Sequence, residues 1–227
     1  MRNNERNDLK IYGSGISNGG TFDKISIMGE GIIRGNVKCY SLKIYGEGNL
    51  DGNVKTTNYV SIKGETIVDG YLNSRKLKVQ GEIEVGDELC ADEAEIQGSI
   101  MTGGNLNAEI LNIEGGFIVD GMINADTMKM NLYWPSEVNE IGGSEIRITR
   151  NSKLSLLGIK NMIIAEGKNE LSCNLIEGDN VYLENTIAKT VRGNNVTIGP
   201  GCKIELVEYK NNLKMDDEVK VSTHKKM

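Results

Sequence analysis

Apolar residues recur along the chain in a short phrase, apolar–x–apolar–x–Gly, at nearly regular intervals. Successive copies begin at Leu9, Ile25, Leu42, Val60, Leu77, Ala94 and Leu111. Alternation of apolar and polar residues within the phrase predicts a strand with one buried face. A repeat with this regular spacing predicts a solenoid, in which each unit buries its apolar side against the next.

Other positions of the repeat also keep their character. Counted from the first apolar residue as zero, position twelve is apolar and position fourteen is small, as at Val54 and Thr56. The dipeptides Asp51-Gly52, Asp69-Gly70 and Asp120-Gly121 are typical of turns, because glycine accepts a positive φ and aspartate bonds nearby backbone. We therefore predict an all-β parallel β-helix of about 17 residues per coil, with about three short strands in each coil.

The pattern changes after Met128-Lys-Met130, where Asn131-Leu-Tyr-Trp134-Pro135 follows with the only tryptophan of the chain. This segment predicts a break between two parts of the molecule, and a buried aromatic plug that closes the first stack is the alternative. Strand-like phrases resume at Glu145-Ile-Arg-Ile148 and Leu154-Ser-Leu156. The similar phrases Gly178-Asp-Asn-Val-Tyr-Leu183 and Gly193-Asn-Asn-Val-Thr-Ile198 follow one another at a smaller step, which predicts a second β-helical part of shorter period.

These features predict five regions. They are a flexible N-terminus over residues 1–8, a β-helix of 17-residue repeats over 9–130, a linker over 131–143, a second β-helical part over 144–210 and a flexible tail over 211–227. The tail is predicted because residues 211–227 carry mixed charges and few apolar groups.

Composition narrows the class of protein. Apolar residues make up 38% of the 227 residues and 28 residues are glycine, which favours a thin core inside tight turns. The formal charge of −6, with no concentrated basic region, gives no indication of a nucleic-acid surface. The sequence has no signal peptide and no membrane span, so we expect a cytoplasmic protein. Its four cysteines, Cys39, Cys90, Cys173 and Cys202, form no C-x-x-C pair and are expected to be reduced.

Candidate chemistry is sparse. Position five of the repeat holds Glu30, Glu47, Glu65 and Glu82, which predict either a solvated acidic corner or a site for a hard cation. The phrase Ile198-Gly-Pro-Gly-Cys-Lys-Ile204 resembles one coil of the hexapeptide-repeat acyltransferases, which commonly use a histidine as general base. Strict six-residue periodicity is absent, however, and the only histidine, His224, falls in the predicted tail. The glycine pairs lack the Lys-Ser/Thr of a P-loop. We therefore predict no catalytic residue, no cofactor and no metal, and hence no enzyme.

The apolar–x–Ile–x–Gly-x-Gly coil with its Asp-Gly turn resembles the bactofilins, bacterial polymer-forming cytoskeletal proteins. The stretch from Ile176 to Tyr209 resembles the C-terminal segment of longer bactofilin-like proteins from Gram-positive bacteria. The resemblance implies a right-handed β-helix and filaments that assemble without nucleotide, with roles in cell shape, motility or the positioning of other proteins. Many members touch the inner membrane through a short apolar N-terminal peptide, which Met1–Asp8 lacks.

The leading hypothesis is a structural polymer subunit whose partner is a second copy or a paralogous bactofilin. The candidate contact residues at the two ends are Leu9, Ile11, Ile16 and Ile27, and Ile198, Ile204, Leu206, Val207 and Tyr209. A non-polymerising scaffold or adaptor is the alternative, and an acyltransferase is the remote one. The polarity of the filament, its client proteins and the process it serves stay open at this point.

Overall fold

The computed structural model describes residues 7–150 and 169–227, and those residues form strands and no helix. All pairings between strands are parallel. The strands are β1 Leu9–Thr21, β2 Lys24–Leu50, β3 Val54–Val68, β4 Leu72–Val85, β5 Leu89–Thr102, β6 Leu106–Leu132, β7 Ser136–Arg150, β8 Leu171–Leu183, β9 Thr186–Ile198, β10 Lys203–Met215 and β11 Lys220–Lys226. The fold is a parallel β-solenoid, as the repeat predicts.

The apolar positions of the phrase form the core by stacking in columns. Ile44 of β2, Ile62 of β3 and Val79 of β4 are in register, and all three are buried. Each column buries a side chain against the coils on either side, so a single coil could not bury its apolar face alone. The predicted alternation of buried and exposed residues is therefore confirmed.

The strands differ from the prediction of three short strands in each coil. Most run for 13–15 residues, and β2 and β6 run for 27 residues each. Shifts of register mark the corners instead, for example between Cys39 and Ser41 of β2. Strand pairing therefore continues through most corners, and it is interrupted only at the short bends between strands.

The glycine of the repeated phrase has the positive φ that the sequence predicts for the Asp-Gly turns. Gly29, Gly46, Gly64, Gly81 and Gly98 have φ between +118° and +137°. A Cβ on each would collide with the carbonyl oxygen of the preceding glycine in the column. Only glycine permits both this backbone conformation and this close approach between coils.

The expectation of positive φ at the Asp-Gly turns was wrong. Gly52 and Gly70 lie in the bends that follow β2 and β3, but neither is among the left-handed glycines. A Cβ on Gly70 would instead collide with the amide group of Asn53, whose Oδ1 accepts a hydrogen bond from the backbone N–H of Tyr71 at 3.1 Å. Glycine is needed there for close approach. Asp120-Gly121 lies inside β6.

The chain falls into two compact units, Met1–Ile110 and Leu111–Met227. The first, called unit 1, contains β1 to β5, and the second, called unit 2, contains most of β6 and all of β7 to β11. In unit 2, Val181 of β8 pairs with Val196 of β9, which confirms the smaller step predicted for this part of the chain. The predicted strand at Leu154-Ser-Leu156 and residues 1–6 of the predicted flexible N-terminus lie outside the described residues.

Two predicted irregular segments lie in or beside strands. Trp134 lies in the short bend between β6 and β7 and is 52% exposed, so it is not a buried plug. Residues 211–227, for which we expected a flexible tail, include the end of β10 and all of β11. Strand β11 follows β10 in register from Lys203↔Lys220 to Tyr209↔Lys226. Backbone pairing needs no apolar side chain, which is why composition did not indicate this strand.

Candidate assembly surfaces

The N-terminal set of candidate residues lies on the first two strands of unit 1. Leu9 and Ile11 of β1 pair with Ile25 and Ile27 of β2. Leu9 is half-buried, Ile11 is 7% exposed and Ile27 is fully buried. Ile16 of β1 is 61% exposed and points away from the core. The structure therefore brings Leu9, Ile11 and Ile27 together, and leaves Ile16 on an outward face.

The edge of β1 is a second feature of this surface. Strand β1 pairs with β2 on one side, and no strand among the described residues pairs with its other side. An unpaired strand edge carries a row of N–H and C=O groups that can pair with another chain. The surface thus combines backbone groups with the apolar side chain of Leu9.

The C-terminal set of candidate residues lies on β9 and β10, inward of the outermost strand β11. Ile198 belongs to β9, and Ile204, Leu206, Val207 and Tyr209 belong to β10. Strand β11 covers β10 over Lys203–Tyr209, where Val207 pairs with His224. Ile198, Ile204 and Val207 are buried, while Leu206 and Tyr209 are half-buried. These residues are close together, but β11 shields most of them from a partner.

Sequence reasoning missed an apolar pair in the last part of β10. Leu213 is half-buried and Met215 is 43% exposed, and they pair with Val196 and Ile198 of β9. Asn212-Leu213-Lys-Met215 repeats the pattern of Asn195-Val-Thr-Ile198 from one coil earlier. That repetition was the available signal, and the many charges that follow Met215 obscured it.

The four glutamates at position five of the repeat form an acidic column, and all four are exposed. Glu47, Glu65 and Glu82 are in register on β2, β3 and β4, and Glu30 accepts a hydrogen bond from the Ser14 hydroxyl at 3.3 Å. The column borders a groove of about 350 Å³ whose other side includes Ile67 and Met101. The described residues contain no cluster of His, Cys, Asp or Glu arranged to hold a metal ion. The solvated corner stays the prediction for these four exposed carboxylates.

The four thiols differ in burial. Burial raises the pKa of Cys39 and of Cys173 to about 12, and that of Cys202 to about 11. Burial, followed by the charge of Glu88, also raises the pKa of the half-buried Cys90. A raised pKa lowers the fraction of thiolate, which is the nucleophilic form. None of the four thiols is therefore activated.

His224 is exposed on β11, and the hexapeptide-like phrase forms the turn between β9 and β10. Within the described part of the chain, no helix is long and apolar enough to cross a membrane.

Comparison with known proteins identifies a class. Residues 47–124 match the family model described as "Bactofilin: Polymer-forming cytoskeletal". This range covers the end of β2, all of β3 to β5 and much of β6. This match confirms the resemblance inferred from the coil phrase for residues 47–124. No solved structure matches the chain at a significant level.

Two proteins of Bacillus subtilis (strain 168) are similar to part of the chain. One, named uncharacterized protein YhbF, is 38% identical over 92 residues, which cover 40% of this chain and 35% of the relative. The other, uncharacterized protein YhbE, is 42% identical over 93 residues, which cover 40% of this chain and 37% of the relative. The similarity thus spans little more than a third of the length of either relative.

Proposed function

We propose that this chain is a structural subunit of a bacterial cytoskeletal polymer, which assembles end to end through its outer coils and needs no nucleotide. The observation that carries the proposal is the match of residues 47–124 to the bactofilin family model, which is described as polymer-forming. The fold supports it, because a stack of parallel coils has strand edges at its ends that another stack can extend.

The partner in this proposal is a second copy of the chain or a paralogous bactofilin. The contact includes the outer edge of β1 together with Leu9 and Ile11, above the buried Ile27. Strand pairing across this edge supplies backbone hydrogen bonds, and the apolar side chains add burial. The polymer would act in the cytoplasm, including the inner face of the membrane, as a scaffold for cell shape, motility or protein positioning.

Negative-stain electron microscopy and sedimentation of the purified full chain test this proposal. We expect threads that pellet at near-physiological salt. Leu9→Arg should leave the protein soluble, because a charge at the outer coil opposes stacking, while its long stem lies along the surface without unfolding the coil. Circular dichroism should show the same β content as the wild type.

Tyr12→Arg is the matched control, because Tyr12 is 66% exposed and points away from the core on the same strand. This variant should pellet as the wild type does. Discrete particles in place of threads from the wild type would favour the non-polymerising scaffold. Threads from Leu9→Arg would show that the contact lies elsewhere.

A further inference from the structure

Exposed apolar residues form a column on the side of unit 1. Position seven of the repeat holds Ile32, which is half-buried, and Ile67 and Met101, which are 44% and 41% exposed. Strand pairing aligns them, with Glu84 between Ile67 and Met101. Ile16, which pairs with Ile32, extends the column. These side chains point outward from the coils, so stacking of one coil on the next does not cover them.

The acidic column runs beside this apolar column. Its glutamates lie at position five, two residues before the apolar position, as Glu65 does before Ile67. Residues two apart in a strand point to the same face. The carboxylates and the apolar side chains therefore share one face, and together they line the groove of about 350 Å³ on unit 1.

The glutamates of this groove have no cationic partner in their own chain. Within the described ranges, no ion pair includes Glu30, Glu47, Glu65 or Glu82. The lysines of the adjoining face are engaged elsewhere, because Lys43 Nζ lies 5.6 Å from the centre of the Tyr59 ring and Lys78 Nζ lies 2.9 Å from Glu95. Aligned like charges repel one another. The groove therefore favours an occupant that brings both positive charge and apolar surface.

The spacing of the coils selects the conformation of that occupant. Neighbouring coils are about 4.8 Å apart, whereas one turn of an α-helix rises about 5.4 Å and residues on one side of an extended strand are about 6.8 Å apart. Over three coil steps a helix along the column drifts by about 2 Å, which a lysine side chain can absorb, while a strand drifts by about 6 Å. A helix thus places one residue per turn opposite each carboxylate.

We propose that this groove of unit 1 binds a basic amphipathic helix of another protein. Lysine or arginine residues, one per turn, pair with the glutamate column, and the apolar residues beside them pack on Ile32, Ile67 and Met101. This inference rests on the proposed scaffold function, because it specifies the class of protein that the scaffold positions. An anionic lipid surface does not fit, since the glutamates repel it, and a small cation leaves the apolar column uncovered.

Fluorescence anisotropy of a labelled peptide, titrated with the purified full chain at near-physiological salt, tests the groove. The probe is an alanine-based helix with lysines at i, i+4, i+7 and i+11 and a leucine directly after each lysine, which places both residue types on one side. The control peptide has the same composition, with its lysines distributed around the helix. The patterned peptide should bind about tenfold more tightly, because it alone can face all four glutamates at once.

A charge variant of the protein locates the contact. Glu47→Gln combined with Glu65→Gln should weaken binding of the patterned peptide about fivefold, and this loss should shrink as salt is added. The matched control is Glu93→Gln combined with Glu95→Gln, which removes the same charge from exposed glutamates that already pair with lysines. The control should change the affinity by less than about twofold.

An apolar variant tests the other half of the groove without changing the net charge. Ile67→Asn should weaken binding of the patterned peptide about fivefold, because it removes apolar surface from the contact. The fold should accept this change, since Asn49 pairs with Ile67 in the same column. Ile110→Asn is its control, because Ile110 is 44% exposed and lies outside the groove, and it should leave the affinity unchanged.

Each contrary outcome has one meaning. Equal affinity for the two peptides would overturn the proposal in favour of unspecific attraction of cations to an acidic protein. Equal weakening by a groove variant and its control would overturn the location of the contact. Threads of the wild type that do not bind the patterned peptide would overturn the groove and leave the polymer intact. Peptide binding by a wild type that forms no threads would retain the groove and overturn the polymer.

Discussion

Units 1 and 2 both stack their coils around aligned glycines, but the backbone conformation at those glycines differs. In unit 1, left-handed glycines such as Gly64 and Gly81 lie directly against one another from coil to coil. In unit 2, Gly143, Gly178 and Gly193 are also aligned, and a Cβ on each would collide with a carbonyl oxygen of the preceding coil, but none of them has a left-handed φ. The outward faces of unit 2 also carry a ladder of asparagine amides and an arginine that bridges two glutamates.

Arg192 of β9 connects three strands of unit 2. Its Nη1 lies 3.0 Å from Glu177 of β8, and its Nη2 lies 2.8 Å from Glu208 of β10. The hydrogen bond to Glu208, followed by the charge of Glu177, raises the pKa of Arg192. In unit 1 the comparable contacts are separate pairs between neighbouring strands, such as Lys78 with Glu95.

Neither kind of contact requires coils of one fixed length. In unit 1 the glycines lie against one another across steps of 16 to 18 residues, as between Gly13 and Gly29 and between Gly46 and Gly64. A ladder of side-chain amides needs only an asparagine at the paired position of each coil. Asn195 bonds Asn180 across a step of 15 residues and Asn212 bonds Asn195 across a step of 17, with nearly equal distances of 2.8 and 2.9 Å. Side-chain ladders therefore tolerate coils of different length.

The largest expected effect comes from filling the glycine column of unit 1. Gly64→Ala adds a Cβ that collides with the carbonyl oxygen of Gly46, at a φ of +127°. We expect a loss of about 3 kcal/mol or more in the free energy of unfolding, because strain and overpacking add. Urea unfolding followed by circular dichroism measures it, and amide hydrogen exchange should show the loss concentrated in β2 to β4.

Two control variants separate the causes. Gly35 has a φ of +91° but open space around an added Cβ, so Gly35→Ala should cost only the left-handed strain of about 1–2 kcal/mol. In unit 2, a Cβ on Gly142 would lie 3.6 Å from Asn124 Oδ1, and Gly142→Ala should change stability by less than about 0.5 kcal/mol. If Gly64→Ala cost no more than Gly35→Ala, the collision would not determine the spacing of the coils.

Unit 1 could be predicted from the sequence better than unit 2, because its phrase recurs in every coil. Every coil of unit 1 repeats the phrase with its glycine, so register could be inferred from spacing alone, as for Ile44 and Ile62. Strand β11 could not be inferred, because Val221 is its only aliphatic residue and backbone pairing leaves no mark on composition. Strand β11 covers the candidate residues of β10, and the C-terminal contact residues stay a prediction. The role of the phrase glycine was also missed, since a carbonyl collision depends on the neighbouring coil.

The buried thiols predict the same pH dependence of stability for both units. Cys39 in unit 1 and Cys173 in unit 2 are both buried, and burial raises the pKa of each from 9.0 to about 12. Above about pH 9 the unfolded chain loses these protons while the folded chain keeps them. Stability should therefore fall as the pH rises from about 9 towards about 12, and this contribution is absent below pH 9.

Alanine variants isolate that contribution. Cys39→Ala and Cys173→Ala should each lose less stability than the wild type between about pH 8 and about pH 10.5, as measured by urea midpoints. Position fourteen already holds alanine at Ala91 and Ala108, so the Cys39 site should accept it. A pH dependence identical to that of the wild type would show that these thiols ionise equally in the folded and unfolded chains.

The smallest expected effects compare the side-chain contacts of the two units directly. Asn195→Ala removes the middle of the ladder and leaves the Asn180 and Asn212 amides without their shared partner, at a cost of about 1 kcal/mol. Lys78→Met removes an exposed ion pair whose Nζ lies 2.9 Å from Glu95, and should cost only a few tenths of a kcal/mol. The cost of Lys78→Met should shrink as salt is added, because salt screens exposed charges, while that of Asn195→Ala should not change. A salt-dependent loss for Asn195→Ala would mean that the ladder acts through the charge of Glu145, which accepts a hydrogen bond from Asn180 and is the one ionised group in it, and that both units use electrostatic contacts on their outward faces.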